Sequence, residues 1–276
     1  MTGLQAGNDY MIGVFDSGLG GLTALSELAL MLPDEDMIYF GDTGRVPYGT
    51  RSAETIIKYS VQDMNFLDSF GVDAVLVACG TVSSTALEEL RRRFTTPIYG
   101  VIESAARVAV DTTINGKIAV IGTNATIKSG AFTREISRID SGVSVITAAC
   151  PLFVNLVENG FIKPGDEITS AAARQYLAPL AKFGVDTLIL GCTHFPIISW
   201  AIEAAMPGVK LISSGKAAAD AVAADVKLGK IKTKNSRGGS IRCFVSDKPD
   251  NFGSVASVFV DRDKIGRVER INIDKY

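Results

Sequence analysis

The chain has 276 residues, 47% of them apolar, with 28 basic against 30 acidic side chains. That length and apolar content support one large or two ordinary domains with a real core. The balanced charge leaves no electrostatic footprint for nucleic acid and no polybasic anchor for a membrane.

No apolar run reaches the roughly 18 residues of a membrane span. The opening MTGLQAGNDYMIGVF has neither the basic nor the long apolar region of an export signal, so none is expected. The cysteines are Cys79, Cys150, Cys192 and Cys243, too few for a disulfide framework, and a cytoplasmic protein with reduced thiols is expected. None forms C-x-x-C, and the one histidine is His194, so no metal site is expected.

In chain order, Met11 to Phe15 reads as a strand, followed by the turn Asp16-Ser17-Gly18-Leu19-Gly20-Gly21 and a helix through Leu30. Met37 to Phe40 is a second strand, and Ser52 to Phe70 has helical periodicity. Ala74 to Ala78 is continuously apolar, as in a strand covered on both faces, and a helix over Ser84–Phe94 follows. Pro97 to Val101 opens another strand before a helix through Val110.

The pattern then restarts. Lys117-Ile-Ala-Val-Ile-Gly-Thr parallels Met11-Ile-Gly-Val-Phe-Asp-Ser, again ending on a small hydroxyl residue. A helix follows it. A strand near Val143–Ala148 and a helix around Ser170–Phe183 come next, then a strand to Leu190 and a helix from Ile197 to Met206. Val209 to Ile212 reads as a strand and Ala217–Val226 as a helix. A polar loop, Lys232–Ser240, leads to a strand over Ile241–Ser246, with one more over Arg267–Ile273.

Such alternation predicts an α/β protein with parallel sheets covered on both faces by helices. One element occurs twice. Phe70-Gly-Val-Asp begins a run that ends in Cys79, and Phe183-Gly-Val-Asp, 113 positions on, begins one that ends in Cys192. The repeat predicts two similar domains of three layers each, residues 1–99 with 212–276 and residues 100–211. In parallel sheets ligands bind beyond the carboxyl ends of the strands. Both cysteines end a strand, so facing halves would bring two thiols to one cleft. Donor groups at the strand-to-helix turns favour an anion, which would lower a thiol pKa or hold a carboxylate. Cys150 and Cys243 read as small buried hydrophobes.

Other motifs are narrower. The Asp16 turn is not a dinucleotide fingerprint, since Thr23 replaces the third glycine. Asp16 reads either as a helix cap or as a partner for an ammonium or a nearby base. Gly41-Asp-Thr-Gly-Arg-Val-Pro-Tyr-Gly49 lacks the G-K-[ST] of a phosphate loop. A phosphatase C-x5-R loop is excluded at both cysteines, which have Thr85 and Ile198 six residues on. A Cys–His hydrolase would leave the second matched thiol unexplained.

FDSGLGGLT, GDTGRVPYG, VACGT and GCTHFP, in that order, resemble the motifs of the cofactor-independent aspartate/glutamate racemase family, from about Met11 to about Val226. The resemblance implies two α/β domains with the active site between them, a homodimer, no cofactor, and interconversion of L- and D-glutamate to supply D-glutamate for peptidoglycan. It implies Cys79 and Cys192 as catalytic acid/bases and Asp16 and Ser17 as contacts of the substrate amine. Tyr48 and Gly49 correspond to a loop closing over substrate, and Thr81, Thr193 and His194 to carboxylate and amine contacts. Glu158, in Val-Glu-Asn-Gly, corresponds to an acidic residue near the second thiol.

Two positions depart from the family pattern. Gly80 stands where Asn is typical, leaving Ser83, Ser84 or the Gly80 N–H to replace its amide, and Leu211-Ile-Ser-Ser-Gly lacks an Asp that members often carry. A sibling activity therefore stays open: aspartate racemase, or a decarboxylase or isomerase using one thiol. A non-catalytic binding module is the reading outside enzymes.

Overall fold

Each Phe-Gly-Val-Asp copy turns a helix into a strand, and the glycine and aspartate explain how. Gly71 and Gly184 have φ of 71° and 73°, a left-handed conformation that costs residues with a Cβ about 1–2 kcal/mol. Gly184 ends the helix Glu167–Phe183 in this way. The aspartate then pins the chain segment that enters the neighbouring strand. Asp73 Oδ2 accepts the Met11 N–H at 3.0 Å. Asp186 Oδ2 accepts the N–H groups of Ile114 and Asn115, both at 2.7 Å, and Oδ1 accepts the Thr113 hydroxyl at 2.6 Å.

A computed structural model describes residues 10–233, 238–247 and 268–276. The strands are β1 (Met11–Asp16), β2 (Asp36–Gly41), β3 (Ala74–Val77), β4 (Ile98–Gly100), β5 (Lys117–Gly122), β6 (Ser144–Ala149), β7 (Thr187–Leu190), β8 (Lys210–Ser213), β9 (Ile241–Val245) and β10 (Val268–Arg270). They form two sheets, β10-β9-β2-β1-β3-β4 and β6-β5-β7-β8, and every pairing is parallel. The protein is α/β, as the alternation predicts.

Side chains alternate across each strand, so the apolar runs feed different cores. Val14 and Leu76 of one sheet and Val120 and Ile189 of the other meet a shared inner core. That core is filled by the helices Leu22–Met31, Val101–Thr112 and Ser214–Lys227. Their neighbours Phe15 and Val75 face outward to the helix Ala53–Asp68, and Ile121 and Leu188 to the helix Glu167–Phe183. Cys150 and Cys243 are fully buried in these cores, as small hydrophobes.

Several boundaries differ from expectation. The helix expected over Ser84–Phe94 is two helices, Gly80–Thr85 and Leu87–Arg93, broken at Ala86. The first starts directly after Cys79. The helix expected from Ile197 begins as a 3-10 turn, Phe195–Ile198, before Ser199–Ala205. The expected strand over Arg267–Ile273 is Val268–Arg270 followed by a 3-10 turn; Arg267 and residues 234–237 of the polar loop lie outside the described residues. The helix Pro151–Glu158 was not anticipated.

Partial burial pushes the Asp186 carboxyl up, but the bonds from Thr113, Asn115 and Ile114 bring its pKa from 3.8 down to about 2. An Asp186→Ala variant should lose about 1–3 kcal/mol of stability at neutral pH, the scale for hydrogen bonds to a charged acceptor. Because the folded pKa is depressed, the pH-dependent part of the difference from the parent should be complete above about pH 4 and be lost as pH falls through about 2. Urea unfolding at stepped pH checks both.

Candidate active site

The carboxyl ends of the two sheets face each other across a cavity of about 120 Å³. Each wall is a loop that begins where a strand ends. Ser17 follows β1, the segment 42–50 follows β2, and Cys79 follows β3; Thr123 follows β5, and Cys192 follows β7. Cys79 and Cys192 both line this one cavity. With them stand Ser17, Gly80 and Thr81 from one side and Thr193, His194 and Glu158 from the other, while Tyr48 and Gly49 complete the wall.

Asp16 is the exception among the expected residues. It is 1% exposed and lies behind the wall. Its Oδ2 accepts the N–H groups of Gly18 at 3.3 Å and Gly21 at 3.0 Å, which shapes the turn. It does not cap the following helix, whose N-cap position is Gly21. Its Oδ1 is buried with no hydrogen-bond partner among the described residues. Burial raises the Asp16 pKa, and His194, the Gly21 N–H and Cys79 each draw it partly back. Asp16 therefore acts on the cavity through two residues that line it.

The two thiols have unlike surroundings. The Cys79 thiol donates to the Ser17 hydroxyl at 3.4 Å. Burial and then the charge of Asp16 push it up to about 12, opposite to the lowering expected from the turn's donors, because desolvation outweighs them. Cys192 Sγ lies 3.7 Å from His194 Nδ1, and His194 Nε2 lies 3.2 Å from Glu158 Oε1. Burial draws the His194 pKa down. The contacts with Cys192 and Glu158 and the charge of Asp16 overcome it, lifting the imidazole from 6.5 to about 10. At neutral pH the first side offers a protonated thiol and the second an imidazolium against sulfur.

The closeness of the halves rests on two glycines. A Cβ on Gly80 would sit 2.2 Å from the Gly191 carbonyl oxygen, and one on Gly20 would sit 2.3 Å from Thr193 Oγ1. Both are closer than side chains tolerate. Thr81 Oγ1 and Thr123 Oγ1 then meet across the seam at 3.0 Å. Neither Ser83 nor Ser84 replaces the missing Asn amide. Ser83 donates to the Val77 carbonyl and accepts the Val101 N–H, while Ser84 donates to the Thr81 carbonyl. Only the Gly80 backbone reaches the cavity at that position.

Tyr48 is placed against the cavity, but its hydroxyl is not offered to it. That oxygen is in hydrogen-bond contact with Asp42 Oδ2 and lies 3.0 Å from Asp63 Oδ2. Thr123, Asn124, Val154 and Asn155 also line the cavity and were not anticipated. Thr123 was legible, since it stands in the second repeat where Ser17 stands in the first. Val154 and Asn155 share a helix with Glu158, which a proline at its first turn and the apolar spacing of Phe153, Leu156 and Val157 would have signalled.

Among the described residues no group of three or more His, Cys, Asp or Glu is arranged to hold a metal, and no helix is long and apolar enough to cross a membrane.

The Asp/Glu/Hydantoin racemase family model matches residues 24–222. A glutamate racemase of Geobacter metallireducens is 44% identical over 264 residues, covering 95% of this chain and 97% of that one. One from Aquifex aeolicus is 45% identical over 241 residues, 87% of this chain and 90% of its own. The solved structure of the Francisella tularensis glutamate racemase, in complex with D-glutamate, superposes with a TM-score of 0.90 at 34% identity, covering 98% of this chain and 100% of that one.

Two outcomes test this geometry. Since the folded-state pKa of His194 is raised, its contribution to stability should be full below about pH 6.5 and disappear as pH rises through about 10. The stability gap between parent and His194→Asn should follow that course in denaturant titrations. Gly80→Ala should cost about 1–3 kcal/mol through overpacking against backbone, read as a lower urea midpoint.

Proposed function

The chain belongs to the Asp/Glu/hydantoin racemase family, as one of its amino-acid racemases, and from that premise we propose that it interconverts L- and D-glutamate with Cys79 and Cys192 as a pair of acid–base thiols. The observation that carries this reading is that the duplicated cysteines, each ending a strand of a different sheet, line one small cavity. We take residues 1–99 with 212–276 and residues 100–211 as the two lobes.

Inverting an α-carbon removes a hydrogen from one face and returns one to the other. A single base would have to cross the substrate or exchange its proton. Two thiols on opposite faces do neither. In one direction Cys192, held against the His194 imidazolium, is the base that takes the α-proton. Cys79, a thiol at rest, gives its proton to the other face. The roles are then exchanged, and the opposite reaction runs from that state. Burial and then Asp16, behind the wall, raise the Cys79 pKa and so keep that thiol protonated at rest.

The carbanion must be stabilised without an electron sink, so donors around the substrate carboxylate carry that charge. The hydroxyls of Thr81 and Thr193 and the Gly80 backbone are the groups at hand. A cavity of about 120 Å³, against the roughly 10–15 Å³ of open space that one water needs, has room for a small ligand. Enclosure strengthens each polar contact inside it. The reading includes no cofactor, no metal and no nucleic-acid partner. It also includes a homodimer in the cytoplasm that supplies D-glutamate for peptidoglycan. A sibling activity on aspartate is the competing reading that the Gly80 departure leaves open.

Incubation of L-glutamate with the pure enzyme in D2O should give D-glutamate deuterated at Cα, while unreacted L-glutamate stays largely protiated at early times. Cys79→Ser and Cys192→Ser should each lose at least about 10²–10⁴-fold in racemisation. Normal racemisation by either variant would refute the two-thiol scheme. Faster turnover of aspartate, or release of CO2, would favour a sibling activity.

A further inference from the structure

The segment carrying Tyr48 and Gly49 is tied down from the side away from the cavity. Asp42, at the end of β2, and Asp63, on the helix Ala53–Asp68, are both 0% exposed and do not line the cavity. Arg45 bridges them, with Nε donating to Asp42 Oδ2 at 2.5 Å and Nη2 to Asp63 Oδ1 at 2.8 Å. Its Nη1 donates to Gln62 Oε1 at 2.6 Å, and its guanidinium lies 4.1 Å from the centre of the Tyr59 ring. The Ser246 hydroxyl donates to Asp42 Oδ1 at 2.7 Å.

One oxygen of each carboxylate also meets the Tyr48 hydroxyl: Asp42 Oδ2, which already accepts from Arg45, and Asp63 Oδ2. A phenol has one hydrogen, and two ionised carboxylates accept but cannot donate. The phenol oxygen therefore meets two carboxylate oxygens with one hydrogen to give, and its second contact needs a proton carried by a carboxylate. The charges agree, because two buried carboxylates facing one guanidinium leave a negative charge that burial penalises. Among the described residues Asp42 has donors from both Arg45 and Ser246, whereas Asp63 has Arg45 alone besides the shared phenol, so Asp63 is the site for the extra proton.

We propose that Asp63, which touches neither thiol nor the cavity, is a positioning residue held in its protonated form: it donates to the Tyr48 oxygen, Tyr48 donates on to Asp42, and this relay holds Tyr48 and Gly49 against the substrate cavity. Burial, and then the nearby charge of Asp42, hold the Asp63 carboxyl well above the usual carboxylate range. The proposal rests on the racemase reading only in what the loop is positioned for. Asn presents the same pattern as the neutral acid, an acceptor to Arg45 and a donor to Tyr48, whereas Ala breaks the relay.

The test has two readouts. A difference infrared spectrum of the parent against Asp63→Asn at neutral pH should contain the carbonyl stretch of a protonated carboxyl, and its absence overturns the proposal. In racemisation assays Asp63→Asn should keep KM within about twofold. Asp63→Ala should raise KM about tenfold with kcat little changed, because fewer molecules hold the closed loop while the thiols are intact. An unchanged KM in Asp63→Ala, or equal losses in the Asn and Ala variants, overturns it. Should Asp63→Ala fail to fold, Tyr48→Phe keeps the packing, removes the middle of the relay and carries the same KM test. If the parent enzyme does not racemise, the functional reading falls, while the infrared band still decides the state of Asp63.

Discussion

Everything at the site depends on two glycines, Gly20 and Gly80, that let the ends of the two sheets meet closely. Gly80 comes so near the Gly191 carbonyl, and Gly20 so near Thr193, that neither place has room for a Cβ. Packing density near that of a crystal leaves little slack, so in this chain a side chain added at either point requires its neighbours to shift. The result is a small cavity with sulfur from each half in its wall.

The same closeness produces the site's electrostatics. Asp16 belongs to the first half and His194 to the second, yet each shifts the other's protonation because both are buried away from the solvent that would screen the charge. The duplicated thiols thereby lose their equivalence. Cys79 rests beside Ser17 and a buried carboxyl, whereas Cys192 rests beside an imidazole backed by Glu158. Duplication explains why there are two thiols. Their different neighbours explain how one is protonated at rest while the other faces a cationic partner, the asymmetry that the proposed two-thiol reaction needs at its start.

The loop over the cavity follows another logic. Its approach to the cavity is fixed by buried polar groups behind it, Asp42, Arg45 and Asp63, whose mutual hydrogen bonds offset the cost of burying their charges. The hydroxyl of Tyr48 belongs to that network, and its ring packs against Tyr59 at 5.5 Å between centroids. What the segment gives the cavity is shape and exclusion of water, with Gly49 set close to Thr123 of the opposite half.

The sequence by itself determined the α/β alternation, the duplication and the pair of thiols, because these are written in local patterns: apolar runs, a glycine that ends a helix, an aspartate that pins a strand, a cysteine that follows. Thr123 was equally written, as the second copy of Ser17. Tertiary structure alone decided that Asp16 stands behind the wall, that Ser83 and Ser84 are committed to backbone partners, and that burial raises the Cys79 pKa against the pull of the turn. It alone joined Asp63 to Tyr48, 15 residues away on another element. Spacing along the chain reports which side chains share a face. Desolvation and charge coupling depend on what closes over that face, and here it is supplied by a half of the molecule more than a hundred residues distant.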